Sequence, residues 1–201
     1  MSGPRLRVRT LLIAVAVLSP FLAAGVWLFQ IGQGLEDFYG PGGFLDREHN
    51  LSNTIAAGDG ELARGRFAEA ETLYRTAIRL QAEHVARSGP KNSLAGDWFL
   101  IGLADALAGQ GHAAGADIQY RKAVAAYDAD TNPRNTALDA VLMRYSAFLR
   151  REGREDEARS CEDRAIAALD RSAAYFREEK RGEVAEALEG RARAIRARRV
   201  R

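Results

Sequence analysis

The chain has 201 residues, with 29 Lys and Arg against 27 Asp and Glu, a formal net charge of +2 and 47% hydrophobic residues. That length permits one ordinary domain and some extras, and so near a balance of charge singles out no class of partner. A single cysteine, Cys161, excludes an intramolecular disulfide and a Cys-x-x-Cys redox pair.

The first segment, MSGPRLRVRT, carries Arg5, Arg7 and Arg9, and LLIAVAVLSPFLAAGVWLF then runs over residues 11–29 without a charge. At about 1.5 Å per residue a helix of this length spans roughly 28 Å, close to the ~30 Å hydrocarbon core of a bilayer. Residues 1–30 are therefore expected to be a basic segment and a transmembrane anchor, with Trp27 near the far interface. A cleaved signal peptide would show a shorter apolar core and a small-x-small site, whereas here the apolar run continues through Val26, Trp27, Leu28 and Phe29. The three arginines before the span, with Glu36 and Asp37 after it, predict a cytoplasmic N terminus and an outer location for the rest. In a bacterium this is a single-pass inner-membrane protein with a periplasmic domain.

Residues 31–45 hold Gly32, Gly34, Gly40, Pro41, Gly42 and Gly43, a density that predicts a turn-rich connector. Beyond it, over 46–178, one pattern occurs three times: GRFAEAETLYRTAI (65–78), GHAAGADIQYRKAV (111–124) and GREDEARSCEDRAI (153–166). Aligning Gly65, Gly111 and Gly153 aligns Ala70, Ala116 and Ala158, then Ala77, Ala123 and Ala165. Counting back seven gives Gly58, Ala104 and Ser146, all small. Each unit thus reads as a helix, a tight turn at glycine and a second helix, with small residues where two backbones approach. SGPKNS (88–93) and DTNPRNT (130–136) supply breaks, and Asn135 or Thr136 is expected to cap the following helix. Gly182 interrupts the pattern weakly, and 179–201 is read as a capping helix with a basic tail, where Arg191, Arg193, Arg196, Arg198, Arg199 and Arg201 could meet an anionic surface or an acidic partner.

The small residue, the turn glycine, the alanine after it, the aromatics Tyr74 and Tyr120 and the later alanine resemble the tetratricopeptide repeat. Spacings of 46 and 42 residues exceed that family's usual period of about 34, so the chain most resembles the long-repeat, kinesin-light-chain-like variant. Fold class is then all-α: one transmembrane helix, about three αα-hairpins and a C-terminal capping helix. By the same resemblance the groove is lined by first-helix residues, among which Asp59, Trp98, Ile101, Asp105, Met143 and Arg150 are the expected partner contacts, and Trp98 is the expected anchor.

Chemistry-bearing residues are sparse. His49, His84 and His112 stand in separate elements without metal-ligand spacing, and no nucleophile, base and orienter converge. No catalytic residue, metal, cofactor, small-molecule substrate or nucleic acid is expected. The expected function is a membrane-tethered scaffold or accessory subunit of an inner-membrane complex that binds a protein partner through the concave face of the repeats, with lipid contact through residues 11–29. An envelope enzyme, or a targeting subunit for one, with a site built from scattered residues is the alternative.

Overall fold

The computed structural model describes residues 33, 44–88, 98–129, 132 and 137–199. The chain divides into two compact units, 1–50 and 51–201. In the first, the described residues 33 and 44–50 are helical.

Among the described residues the chain is all-α, with seven helices: α1 (Phe44–Ala63), α2 (Phe67–Ser88), α3 (Trp98–Gly109), α4 (Ala113–Ala129), α5 (Leu138–Arg151), α6 (Glu155–Glu178) and α7 (Gly182–Arg198). From α2 to α7 each helix packs on the next, and α3 also touches α5, skipping one element as stacked αα-hairpins do.

The short turns share one geometry. Gly65, Gly111 and Gly153 have φ of 72°, 78° and 74°. The N–H after each glycine donates to a carbonyl one turn back, Arg66 to Glu61, His112 to Leu107 and Arg154 to Leu149, each at 2.9 Å. Together with the glycine's own N–H bond, to Leu62, Ala108 and Arg150 respectively, this forms a Schellman cap, which satisfies carbonyls left over at a helix end and needs one left-handed residue.

A fourth turn has the same bonds but no glycine. Lys180 takes φ 58°, and Arg181 donates to the Phe176 carbonyl at 2.8 Å. Measured from the left-handed residue, alanines recur in all four copies: Ala70 and Ala77, Ala116 and Ala123, Ala158 and Ala165, Ala185 and Ala192, every one fully buried. The long α6 is therefore the second helix of one hairpin and the first of another. A side chain with a Cβ costs roughly 1 kcal/mol in this conformation, so Lys180→Gly should stabilise the chain by about 0.5–1 kcal/mol in thermal or denaturant unfolding, less what the more flexible unfolded chain takes back.

Between the hairpins the packing is set by aromatics against small residues. The Tyr74 ring lies against Gly58 of α1, where a Cβ would stand 3.0 Å from the ring, and against Gly102 of α3, where a Cβ would fall inside any permitted contact. Tyr120 occupies the matching place one hairpin on, with ring centroids 5.3 Å from Tyr145 and 5.2 Å from Phe148.

No described helix is long and apolar enough to cross a membrane. The most apolar, α3, has 12 residues and spans about 18 Å, well short of a bilayer core, while the longer helices carry charged residues along their length. The transmembrane helix therefore forms no part of the described fold; residues 11–29, on which it was read, lie outside the described residues, as do Arg5, Arg7, Arg9 and Trp27 and most of the connector 31–45. The membrane tether, the bilayer contact, the single-pass inner-membrane location with a periplasmic domain, and the role as a tethered scaffold or accessory subunit of a membrane complex all depended on that span and are not retained. The start of α5 also differs: its N-cap is Ala137, which offers no side-chain cap, and Asn135 and Thr136 lie outside the described residues.

Candidate functional site

Trp98 is the first residue of α3 and is half-buried. The Arg144 guanidinium of α5 stands over its ring, 5.5 Å from the centroid, a cation–π contact that contributes about 0.5–1 kcal/mol at a partly exposed position. The same guanidinium donates from Nη1 to Asp105 Oδ2 at 2.7 Å. Asp105 Oδ1 accepts the Tyr120 hydroxyl from α4. One aromatic, one cation and one carboxylate are thereby tied together where α3 meets α5.

On the α1 side the arrangement repeats. Tyr74 donates its hydroxyl to Asp59 Oδ1 at 2.5 Å, fifteen residues apart just as Asp105 and Tyr120 are. Burial raises the pKa of both phenols, and the carboxylates beside them raise it further, so the two tyrosines stay protonated donors. Arg144 lies close enough to Tyr74 and to Tyr120 to oppose that rise, as does Arg151 at Tyr120. Asp59, Trp98, Asp105, Arg144 and Arg151 thus belong to one continuous surface across α1, α3 and α5.

In the third hairpin the tyrosine's place is taken by Glu162, which is 2% exposed. Ser146 Oγ donates to it at 3.0 Å, Arg150 Nη1 stands at 2.7 Å and Arg199 Nε at 2.8 Å. Burial works to raise its pKa, and the bonds from Arg199, Ser146 and Arg150 outweigh that and hold the carboxyl below the usual glutamate range. A third cluster centres on Asp117, which accepts from Tyr145 and Arg154 at 2.7 Å each and pairs with Arg121 at 2.8 Å.

The expected contacts are therefore divided. Asp59, Trp98 and Asp105 share one surface. Ile101 is fully buried in the core, Met143 is half-buried against it, and Arg150 belongs to the Glu162 cluster, with Glu155 at 3.4 Å. Of the basic tail, Arg191 pairs with Asp139, Arg193 with Glu189, Arg196 with Asp170, and Arg199 with Glu162 and Asp163. The Arg198 side chain has no ion pair among the described residues, and Arg201 lies outside them. Arg144, Arg151, Tyr74 and Tyr120 are not among the contacts expected from the sequence; the Asp and Tyr at fixed spacing in two aligned copies is a signal for the two tyrosines, and the two arginines have none. Among the described residues no group of three or more His, Cys, Asp or Glu is placed to hold a metal ion. A cleft of about 440 Å³ between α6 and α7 is lined by Asp170, Arg177, Glu189, Arg193 and Arg196, whose opposite charges pair with one another.

No family model matches the chain, and no curated protein matches it. Among solved structures it is similar to the crystal structure of BtubC (BKLC) from P. vanneervenii, at 16% identity and a TM-score of 0.49, over 73% of this chain and 63% of that one. The chain thus spans less than two thirds of that structure, and a likeness at this level carries no argument about function. Identification as a tetratricopeptide-repeat protein accordingly lacks family support and is not retained. The physical departures are plain: the left-handed residues fall at uneven intervals, at 65, 111, 153 and 180, and in the last two copies Glu162 and Glu189 replace the aromatic.

Proposed function

We propose that the helical array is a non-catalytic recognition module that engages an extended polypeptide segment on the face shared by α1, α3 and α5. The observation that carries the reading is Trp98, half-exposed, with Arg144 over its ring and Asp105 holding Arg144 in place. A fixed aromatic beside an oriented guanidinium supplies apolar area and a hydrogen-bond donor at little further cost in side-chain entropy, which is the makeup of residues that dominate binding. Asp59 and Asp105, the carboxylates of this face, accept tyrosine hydroxyls that burial keeps protonated; this ties helices together and supports a structural rather than an acid–base use.

Selection from a random peptide display library against the full-length chain tests the reading. Peptides that are enriched should lose at least about tenfold in affinity, roughly 1.4 kcal/mol, with Trp98→Ala, while Arg171→Ala, an exposed change on α6, a helix outside this face, changes nothing. Enrichment of peptides indifferent to Trp98→Ala, or no enrichment at all, would overturn it.

A further inference from the structure

Two charges flank the Trp98 cluster, and both are free of a countercharge among the described residues. Asp59, on the α1 side, is exposed and has only the neutral Tyr74 hydroxyl. Arg151, on the α5 side, is exposed, stands near enough to Tyr120 to act on its hydroxyl, and its side chain has no ion pair among the described residues. Between them Arg144 and Asp105 neutralise each other at 2.7 Å. The remaining field across the face is therefore dipolar, negative at α1 and positive at α5. From this we infer that the ligand of this face is itself dipolar, an extended peptide with a cationic side chain over Asp59, an anionic one over Arg151 and an apolar residue between them near Trp98. The inference rests on the recognition reading above and adds the chemistry and spacing of what is recognised.

Spacing follows from the architecture. Tyr74 touches α1 at Gly58 and α3 at Gly102, and α3 touches α5, so the two free charges stand on helices two interaxial steps apart. At 8–10 Å per step that is about 16–20 Å, which an extended chain rising roughly 3.3 Å per residue covers in about five or six residues. A compact ligand, or one carrying a single sign of charge, satisfies only one end.

Three fluorescein-labelled peptides of equal length, each with a central Leu, test this by polarisation against the full-length chain at low and raised salt. One carries Lys and Glu about six positions apart, one carries Lys at both places and one Glu at both. The Lys/Glu peptide should bind tightest, by about threefold to fivefold for each exposed charge contact, and lose that margin as salt screens it. Asp59→Asn, whose amide oxygen still accepts from Tyr74, should weaken the Lys/Glu peptide by a similar factor and should not weaken the Glu/Glu peptide, which it relieves of a like charge. Arg151→Gln should weaken the Lys/Glu peptide and should not weaken the Lys/Lys peptide, which it relieves of a like charge. If Trp98→Ala weakens all three while neither charge variant matters, the dipolar ligand is wrong and recognition at this face stands. If the Lys/Glu peptide does not bind, or binds no better than the controls, the inference is overturned. Binding indifferent to Trp98→Ala removes the recognition reading as well.

Discussion

Removing Arg150 and Arg199 together should destabilise the chain by about 3–5 kcal/mol, because it strands the buried Glu162 carboxylate without a countercharge. Both arginines are more exposed than the glutamate, so the asymmetry is informative. Losing the cations leaves a charge in the interior, whereas losing Glu162 leaves two cations that can turn toward water. Adding Glu162→Leu to the Arg150→Ala, Arg199→Ala background should therefore restore much of the loss, since an apolar residue of similar volume replaces a buried ion cluster at little net cost. The pH dependence has a definite sign. In the native chain the Glu162 pKa is depressed, so its contribution is fully present above the unfolded glutamate pKa, about 4.3, and is lost as pH falls through the lower folded value. Without the arginines burial, the largest influence, is opposed by the Ser146 hydroxyl alone and raises that pKa, so the penalty of the double variant should shrink on acidification. Denaturant unfolding at a series of pH values reads both effects, and a double variant as stable as the native chain would show that Glu162 is not held as described.

Gly102→Ala should cost about 2 kcal/mol, against the usual gain from replacing a helical glycine. Alanine ordinarily adds about 0.5–1 kcal/mol in a helix interior, but here its methyl would enter the Tyr74 ring, and overpacking costs about 1–3 kcal/mol or more. Tyr74 cannot retreat, being fully buried, backed by Gly58 and tethered to Asp59. Gly115→Ala on α4 is the matched control: its Cβ would meet Leu107 at 3.5 Å, an ordinary contact, so only the propensity gain remains. A Gly102→Ala midpoint equal to or above that of the native chain would mean that α2 and α3 pack differently.

What the sequence revealed and what it hid follow one physical division. Glycine announces a left-handed turn and alanine a close crossing, so three turns and six of the eight alanines that recur at fixed offsets from the four turns were legible from spacing. Lys180 was not, because a non-glycine residue in that conformation has no composition signal, and the nearby Gly182 drew attention to the wrong position although it merely opens α7. Among surface residues the sequence named Trp98, Asp59 and Asp105, which stand on a first-helix face, and placed Ile101 beside them although it points into the core. Arg144 escaped notice because its role comes from α3, on the other side of two turns. The basic run at the C terminus read as a free tail because its carboxylate partners, Asp139, Glu162 and Asp170, lie far back in the chain.

The central claim, that recognition takes place across α1, α3 and α5, is tested most directly by photo-crosslinking. A display-selected peptide carrying a photoreactive residue beside its apolar position is irradiated on the full-length chain, and the attachment sites are read by peptide mass spectrometry. Attachment should concentrate around Trp98 and Arg144, and Trp98→Ala should abolish it. Attachment confined to the α6–α7 cleft near Arg177 and Arg193, or to α4 and α6 away from Trp98, would contradict the account.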